Sequence, residues 1–255
     1  MDQTQNNKRI AKNTLLLYGR MLITMLVALY TSRGVLNTLG VVDYGIYNAV
    51  GGFVAMFTMI SGSFSSSFSR YLTYSLGQND LDRLSEVFNT SMKTQYALAF
   101  ITLLVGEIGG IWFLNEKMSV PEDRMYAANW VFQLSLAAFV VNMTSTPYSA
   151  DVISHEKMDA YAYISIADAL LKLAVVFLLF ISSADKLISY SFLLLIESII
   201  IRETYHFYCI KHFAECRLTK KFDGSLFKEM LGFAGWNFFG VSTNVLRDQG
   251  VNMII

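Results

Sequence analysis

The chain has 255 residues, of which 54% are hydrophobic and 14% are aromatic, and its formal net charge is zero. This aromatic content excludes a disordered chain, and two cysteines are too few for a disulfide scaffold. Zero net charge gives no indication of nucleic-acid binding. Charged residues make up only 16%, against about 25% in soluble proteins, which favours a membrane protein.

Six apolar runs follow one another along the chain, separated by short polar turns. A helix that crosses a bilayer core needs about 20 mostly apolar residues. The runs lie at 14–36, 45–71, 96–114, 126–152, 161–182 and 187–209, and a seventh begins near Phe233. Buried helices of soluble proteins are usually shorter than these runs. The sequence therefore predicts an all-α, polytopic membrane helix bundle with six transmembrane helices and the start of a seventh.

The runs and their charges also predict a domain organisation and an orientation. With the N-terminus inside, 13 of the 20 Lys and Arg residues fall in cytoplasmic segments and four fall outside. Cytoplasmic loops carry such an excess, so we expect a cytoplasmic N-terminus. The predicted parts are a cytoplasmic segment at 1–12, a six-helix lobe at 13–210, a cytoplasmic linker at 211–232 and a truncated second lobe at 233–255.

Polar side chains recur on one face of the first predicted helix. At 100° per residue, one narrow stripe contains Asn13, Arg20, Thr24 and Thr31. A charge in hydrocarbon is costly, so such residues usually face a cavity or a partner. This pattern favours a water-accessible cavity along the first helix.

The fifth predicted helix carries a second polar stripe. It contains Tyr161, Ser165, Asp168 and Lys172. Asp168 and Lys172 are four residues apart, so they can neutralise each other on one helix face. A single residue of this kind often serves only as a hydrogen-bonding contact between helices. Two full stripes favour a shared cavity instead.

Further charges lie at membrane depth in the other runs. Arg247 lies beside a polar stripe of the seventh run, and single acids occur at Glu107 and Glu197. Small residues four apart, Gly106 and Gly110, predict close helix packing in the third helix.

The sequence gives no clear metal or catalytic motif. His206, Cys209, His212 and Cys216 would lie on one side of a helix, whereas tetrahedral zinc normally needs ligands from a turn or a second element. No Gly-rich phosphate loop, HExxH or GxSxG motif occurs. We therefore expect neither a metal, nor another cofactor, nor an enzyme.

Several short motifs point to a known family. They are NTLLLY at 13–18, TSR at 31–33, LGVVDYGIY at 39–47, HEKM at 155–158, FAGWN at 233–237 and RDQGVN at 247–252. With these motifs the chain resembles the bacterial polysaccharide flippases, which export O-antigen and capsule precursors and belong to the multidrug/oligosaccharidyl-lipid/polysaccharide exporter superfamily. The block at 39–47 is the most specific of them.

The resemblance implies two six-helix lobes around a central cavity in the bacterial inner membrane. It implies translocation of an undecaprenyl-pyrophosphate-linked oligosaccharide, coupled to a proton or sodium gradient. The expected substrate-binding residues are Arg20, Thr24, Ser165, Lys172 and Arg247. The expected ion-coupling residues are Glu107, Asp168 and Glu197. Only one lobe is present, so we expect either a truncated chain or pairing with a second lobe or a second copy.

Two other functions remain open from the residues. A cation-coupled multidrug exporter of the same superfamily would use the acids of the cavity. A membrane-embedded transferase acting on lipid-linked sugars would use a surface cluster of His155, Glu156 and Asp159. A non-functional fragment is the third alternative.

Overall fold

A computed structural model describes the backbone of residues 3–118, 120–182, 184–219 and 222–254. Side chains at 3–6, 8–10 and 241–254 lie outside the described residues. The described chain is a bundle of seven α-helices without strands, which confirms the predicted all-α membrane bundle. The helices are α1 Gln3–Ala55, α2 Thr58–Gly77, α3 Leu81–Glu116, α4 Met125–Ser154, α5 Met158–Ile181, α6 Lys186–His212 and α7 Gly224–Ile254.

Helix α1 folds back on itself at Gly40. This residue has φ 78° and ψ 172°, a backbone conformation that glycine adopts without steric cost. Thr24 and Asn48 line one cavity on either side of the reversal, whereas a straight helix would separate them by about 36 Å. Helix α1 therefore contains the first predicted span and the beginning of the second.

The second predicted span is not one continuous helix. Its run at 45–71 is interrupted at Met56 and Phe57, after which α2 begins at Thr58. Because both interrupting residues are apolar, hydropathy does not detect the break.

Several helices also begin earlier than the apolar runs. Helix α3 begins 15 residues before the run at 96–114, and the Asp80 carboxylate accepts a hydrogen bond from the Arg83 amide at 2.9 Å. Helix α7 begins at Gly224, where Asp223 accepts from the Leu226 amide at 3.2 Å. Capping side chains fix these ends, whereas hydropathy reports only the part at membrane depth.

Four helical segments are long and apolar enough to cross a membrane. They are Ala11–Ala55, Leu81–Glu116, Glu122–Ser154 and Met158–Ile181. The helices at predicted spans two and six are not among these four. They are α2, which is rich in serine, and α6, which carries Glu197 and Arg202.

Helices α3 and α4 pack closely along a seam of small and large residues. A Cβ atom on Gly110 would lie 2.0 Å from Phe132 Cζ, and one on Gly106 would lie 2.8 Å from Leu136 Cδ1. At such distances a side chain on either glycine would have to displace its neighbour, in agreement with the close packing that the four-residue spacing predicts. We call Gly106, Gly110, Phe132 and Leu136 the α3–α4 seam.

An ion-pair cluster joins three segments at the opposite end of the bundle from the α4–α5 loop. Arg124 Nε donates to Asp43 Oδ1 at 2.8 Å, and its Nη1 donates to Asp185 Oδ2 at 2.7 Å. Burial acts to raise the pKa of Asp185, but the hydrogen bonds from Arg124 and from the Ile188 and Leu187 amides outweigh it and lower that pKa. The cluster holds the turn after Gly40 against the starts of α4 and α6.

Candidate substrate cavity

The two predicted polar stripes meet in the structure. Arg20 on α1 donates from Nη1 to Ser165 Oγ on α5 over 3.4 Å. Its guanidinium carbon lies 4.9 Å from the centre of the Tyr161 ring. Both partners belong to the stripe of the fifth predicted helix, so the two helices face each other through their polar sides.

Further along the same interface, the helices line two adjoining, partly open cavities. Both are lined by Thr31, Tyr47, Lys172 and Tyr190. The first holds about 350 Å³ and extends along α1 and α5, reaching Thr24 and Asp168; the second holds about 330 Å³ and extends to Glu197 on α6. Thr24 and Thr31 of the first stripe and Asp168 and Lys172 of the second therefore line a concave space, which we call the stripe cavity. Arg20 and Ser165 lie outside its described lining.

A compact group of opposite charges lies in the wall of the stripe cavity. Lys172 Nζ donates to the two Asp168 carboxylate oxygens at 2.8 and 2.9 Å. Glu197 is only 4% exposed, and it interacts electrostatically with both of these residues. Two acids and one lysine share this position, so the lysine charge is fully compensated by acidic neighbours.

Arg20 differs from Lys172 because its described neighbours carry no negative charge. Among the described side chains it contacts a hydroxyl and an aromatic face, and no carboxylate forms an ion pair with it. Its Nε atom is buried and has no hydrogen-bond partner among those residues. Arg20 can therefore offer its charge and donors to an anionic ligand.

The other predicted site residues take different positions. Thr24 lines the first cavity, one helical turn from Arg20, and its hydroxyl donates to the Met21 carbonyl at 3.1 Å. Glu107 lies between α3 and α4 and accepts a hydrogen bond from Gln133 at 2.9 Å, apart from the described lining of the stripe cavity. Arg247 is on α7, where its side chain lies outside the described residues.

Sequence reasoning missed several residues of the stripe cavity. The rings of Tyr47 and Tyr190 meet edge to face with their centres 4.9 Å apart, and Asn142 donates to Ser198 Oγ at 3.1 Å. Tyr47 belongs to the motif at 39–47, which was a usable signal. Tyr190 and Asn142 gave no such signal in the sequence, because single polar residues in apolar runs are commonly contacts between helices.

In the surface cluster of the transferase alternative, His155 and Asp159 make local structural contacts. His155 Nε2 lies 2.6 Å from Glu215 Oε1, and its ring stacks on Phe213. Asp159 Oδ1 accepts from the Ala160 amide at 2.9 Å, at the beginning of α5. These contacts hold loop and helix ends together.

Comparison with solved structures identifies the fold. The chain is similar to the outward-facing conformation of a multidrug resistance MATE family transporter of the MOP superfamily, with a TM-score of 0.77 and 11% sequence identity. The match covers 91% of this chain and 52% of the transporter, so the chain spans about half of that protein's length. No protein-family model and no curated protein matches the sequence. The chain has the fold of one lobe of such a transporter.

Proposed function

We propose that the chain forms one lobe of a membrane exporter that moves an undecaprenyl-pyrophosphate-linked oligosaccharide across the bacterial inner membrane. The observation that carries this proposal is Arg20, a cation without a described acidic partner, which lies one helical turn from Thr24 in the lining of the stripe cavity. A guanidinium forms strong paired hydrogen bonds with phosphate groups. The orientation with a cytoplasmic N-terminus belongs to the same proposal.

The acidic pair of the stripe cavity supplies the proposed ion coupling. Asp168 and Glu197 lie around one lysine, so a proton or sodium ion that neutralised one acid would change the charge that Lys172 experiences. Intramembrane ionisable groups commonly form such relays. Glu107 remains a prediction for this role, as does Arg247 for substrate binding. The second lobe is supplied by a further part of the protein or by a second copy.

A multidrug exporter is the second candidate function. It is favoured by the fold similarity to a multidrug resistance transporter and by the buried position of Glu197. In this case an organic cation would bind to the acids of the stripe cavity, and Arg20 would be a structural residue.

Binding to the purified chain in nanodiscs separates the two candidates. The probes are a short-chain polyprenyl pyrophosphate, the neutral polyprenol of the same length, and a lipophilic organic cation. We expect the pyrophosphate to bind at least tenfold more tightly than the polyprenol, and Arg20→Gln to remove that preference, because the charge-assisted hydrogen bonds are lost.

Arg33→Gln is the matched control, since Arg33 is an exposed arginine on the opposite face of α1. It should bind like the unmodified chain. Equal binding of pyrophosphate and polyprenol would contradict the proposal. The multidrug exporter would be favoured if the organic cation bound tightly and Glu197→Gln abolished that binding.

A further inference from the structure

A buried group of metal-ligand side chains lies away from the stripe cavity, where α4 and α6 end. Asp151 is in the last turn of α4, Cys209 is in the last turn of α6, and Cys216 is in the short 3-10 turn Ala214–Cys216 that follows. All three side chains are fully buried. Their potential ligand atoms lie within 4.8 Å of one another.

The hydrogen bonds within this group leave a buried carboxylate oxygen without a partner. Cys216 Sγ donates to Asp151 Oδ2 at 3.1 Å, and Cys209 Sγ lies 3.5 Å from the Tyr148 carbonyl oxygen. Asp151 Oδ1 is buried and accepts no hydrogen bond among the described residues, and His155 Nε2 remains 3.9 Å from it. A buried polar group in this state is costly, so Asp151 points to a ligand.

We propose that Cys209, Cys216 and Asp151 bind one Zn²⁺ ion. Two thiolates and a carboxylate are ligands that zinc prefers, and they neutralise the ion's charge with one negative charge in excess. Binding replaces the two thiol protons, which are released, and no electron is transferred. In tetrahedral coordination the ligand atoms lie about 3.5–3.8 Å apart, so side-chain shifts of about 1 Å bring the three protein ligands into place, and a water molecule takes the fourth position.

The surrounding residues complete the environment of the proposed ion. His155 Nε2 lies 3.9 Å from Asp151 Oδ1 and 2.6 Å from Glu215 Oε1, so His155 is a neighbour of the site and not one of its ligands. His206 and His212 belong to the pattern of two histidines and two cysteines noted in the sequence, but their rings contact other groups. His206 Nδ1 lies 3.2 Å from Glu203 Oε2, and His212 Nδ1 lies 2.8 Å from the Tyr208 carbonyl oxygen.

The ion would fasten the segment that leads from α6 to α7. This segment continues from Cys216 to Thr219, whose amide donates to Asn89 Oδ1 on α3 at 2.6 Å. A zinc ion at Cys216 therefore fixes the beginning of the predicted inter-lobe linker to α4 and α6. Its role is structural and is independent of the substrate proposed above.

Cobalt substitution tests the site in the full chain, purified in detergent with a reductant that does not bind metals. Co²⁺ bound to thiolates has an intense near-ultraviolet absorption. We expect this band to saturate at about one Co²⁺ per chain and to vanish when Zn²⁺ is added. We expect Cys216→Ser to remove about half of its intensity, and Asp151→Asn to keep the band with at least tenfold weaker affinity.

His212→Ala is the matched control, because His212 is exposed on the same helix, and it should titrate like the unmodified chain. No thiolate band at a tenfold excess of Co²⁺, with both thiols reduced, would overturn the proposal. A Cys209–Cys216 disulfide in rapidly alkylated, freshly isolated membranes would overturn it as well. Both of these results come from the unmodified chain, so they do not depend on the folding of a variant.

Discussion

Two interfaces of the bundle illustrate how side-chain size decides whether helices close or separate. In the α3–α4 seam, glycines allow the Phe132 ring to lie where a Cβ of residue 110 would be. Between α1 and α5 the packing varies along the interface: a Cβ atom on Gly34 would lie 2.8 Å from Val176 Cγ1, whereas Arg20 and Ser165 meet only through a 3.4 Å hydrogen bond, and the polar residues between these points line a cavity. The seam is closely packed, whereas the stripe cavity leaves open space between the helices.

The largest predicted effect is a substitution that forces the seam apart. Gly110→Ala places a Cβ atom 2.0 Å from Phe132 Cζ, and overpacking of this kind costs about 1–3 kcal/mol. The neighbouring variant Gly109→Ala meets only Phe53 Cζ at 3.9 Å, and alanine gains up to about 1 kcal/mol over glycine in a helix. The melting temperature in detergent should therefore fall for Gly110→Ala and rise for Gly109→Ala. Equal melting temperatures of the two variants would contradict the close packing.

A smaller effect is expected for the ion pair in the wall of the stripe cavity. The side chains of Lys172 and Asp168 are 44% and 32% exposed, so their coupling should be about 1 kcal/mol or less. We expect Lys172→Met and Asp168→Asn each to destabilise the chain and the double variant to lose less than their sum. Strictly additive losses in thermal unfolding would show that the pair contributes no coupling.

The smallest effect concerns Asp185 in the ion-pair cluster. Its pKa is lowered in the folded chain, so its stabilisation is fully present above the unfolded pKa of about 3.9 and is lost as the pH falls through the lower folded pKa. The difference in unfolding temperature between the unmodified chain and Asp185→Asn should be constant from pH 6 to 8 and shrink below about pH 4. If this temperature difference grew as the pH fell, it would contradict a lowered pKa of Asp185 in the folded chain.

Periodicity predicted the two polar stripes of α1 and α5, and the structure brings them into contact at Arg20 and Ser165. Arg20 and Thr24 on α1, and Ser165 and Lys172 on α5, recur at helical spacing, and a costly charge must face a polar partner or water. Capping by Asp80 and Asp223 extends helices beyond their apolar runs, so the predicted boundaries differ from those in the structure.

The remaining parts of the two sites depend on contacts that are distant in sequence. Tyr47 reaches the stripe cavity only because the chain reverses at Gly40. Asp151 and Cys216 are separated by 65 residues, and no local spacing relates them. Helical periodicity within one run contains no information about these encounters.

Aqueous exposure of the polar stripe tests the central claim most directly. Thr24→Cys places a thiol in the stripe cavity, whereas Leu26→Cys places one on an apolar face of α1 at nearly the same depth, where Leu26 is 63% exposed. A thiol reacts as its thiolate, so it needs water around it. In intact membranes, a water-soluble thiol reagent should modify Thr24→Cys at least tenfold faster than Leu26→Cys. Equal protection of the two positions would contradict a water-filled cavity between α1 and α5.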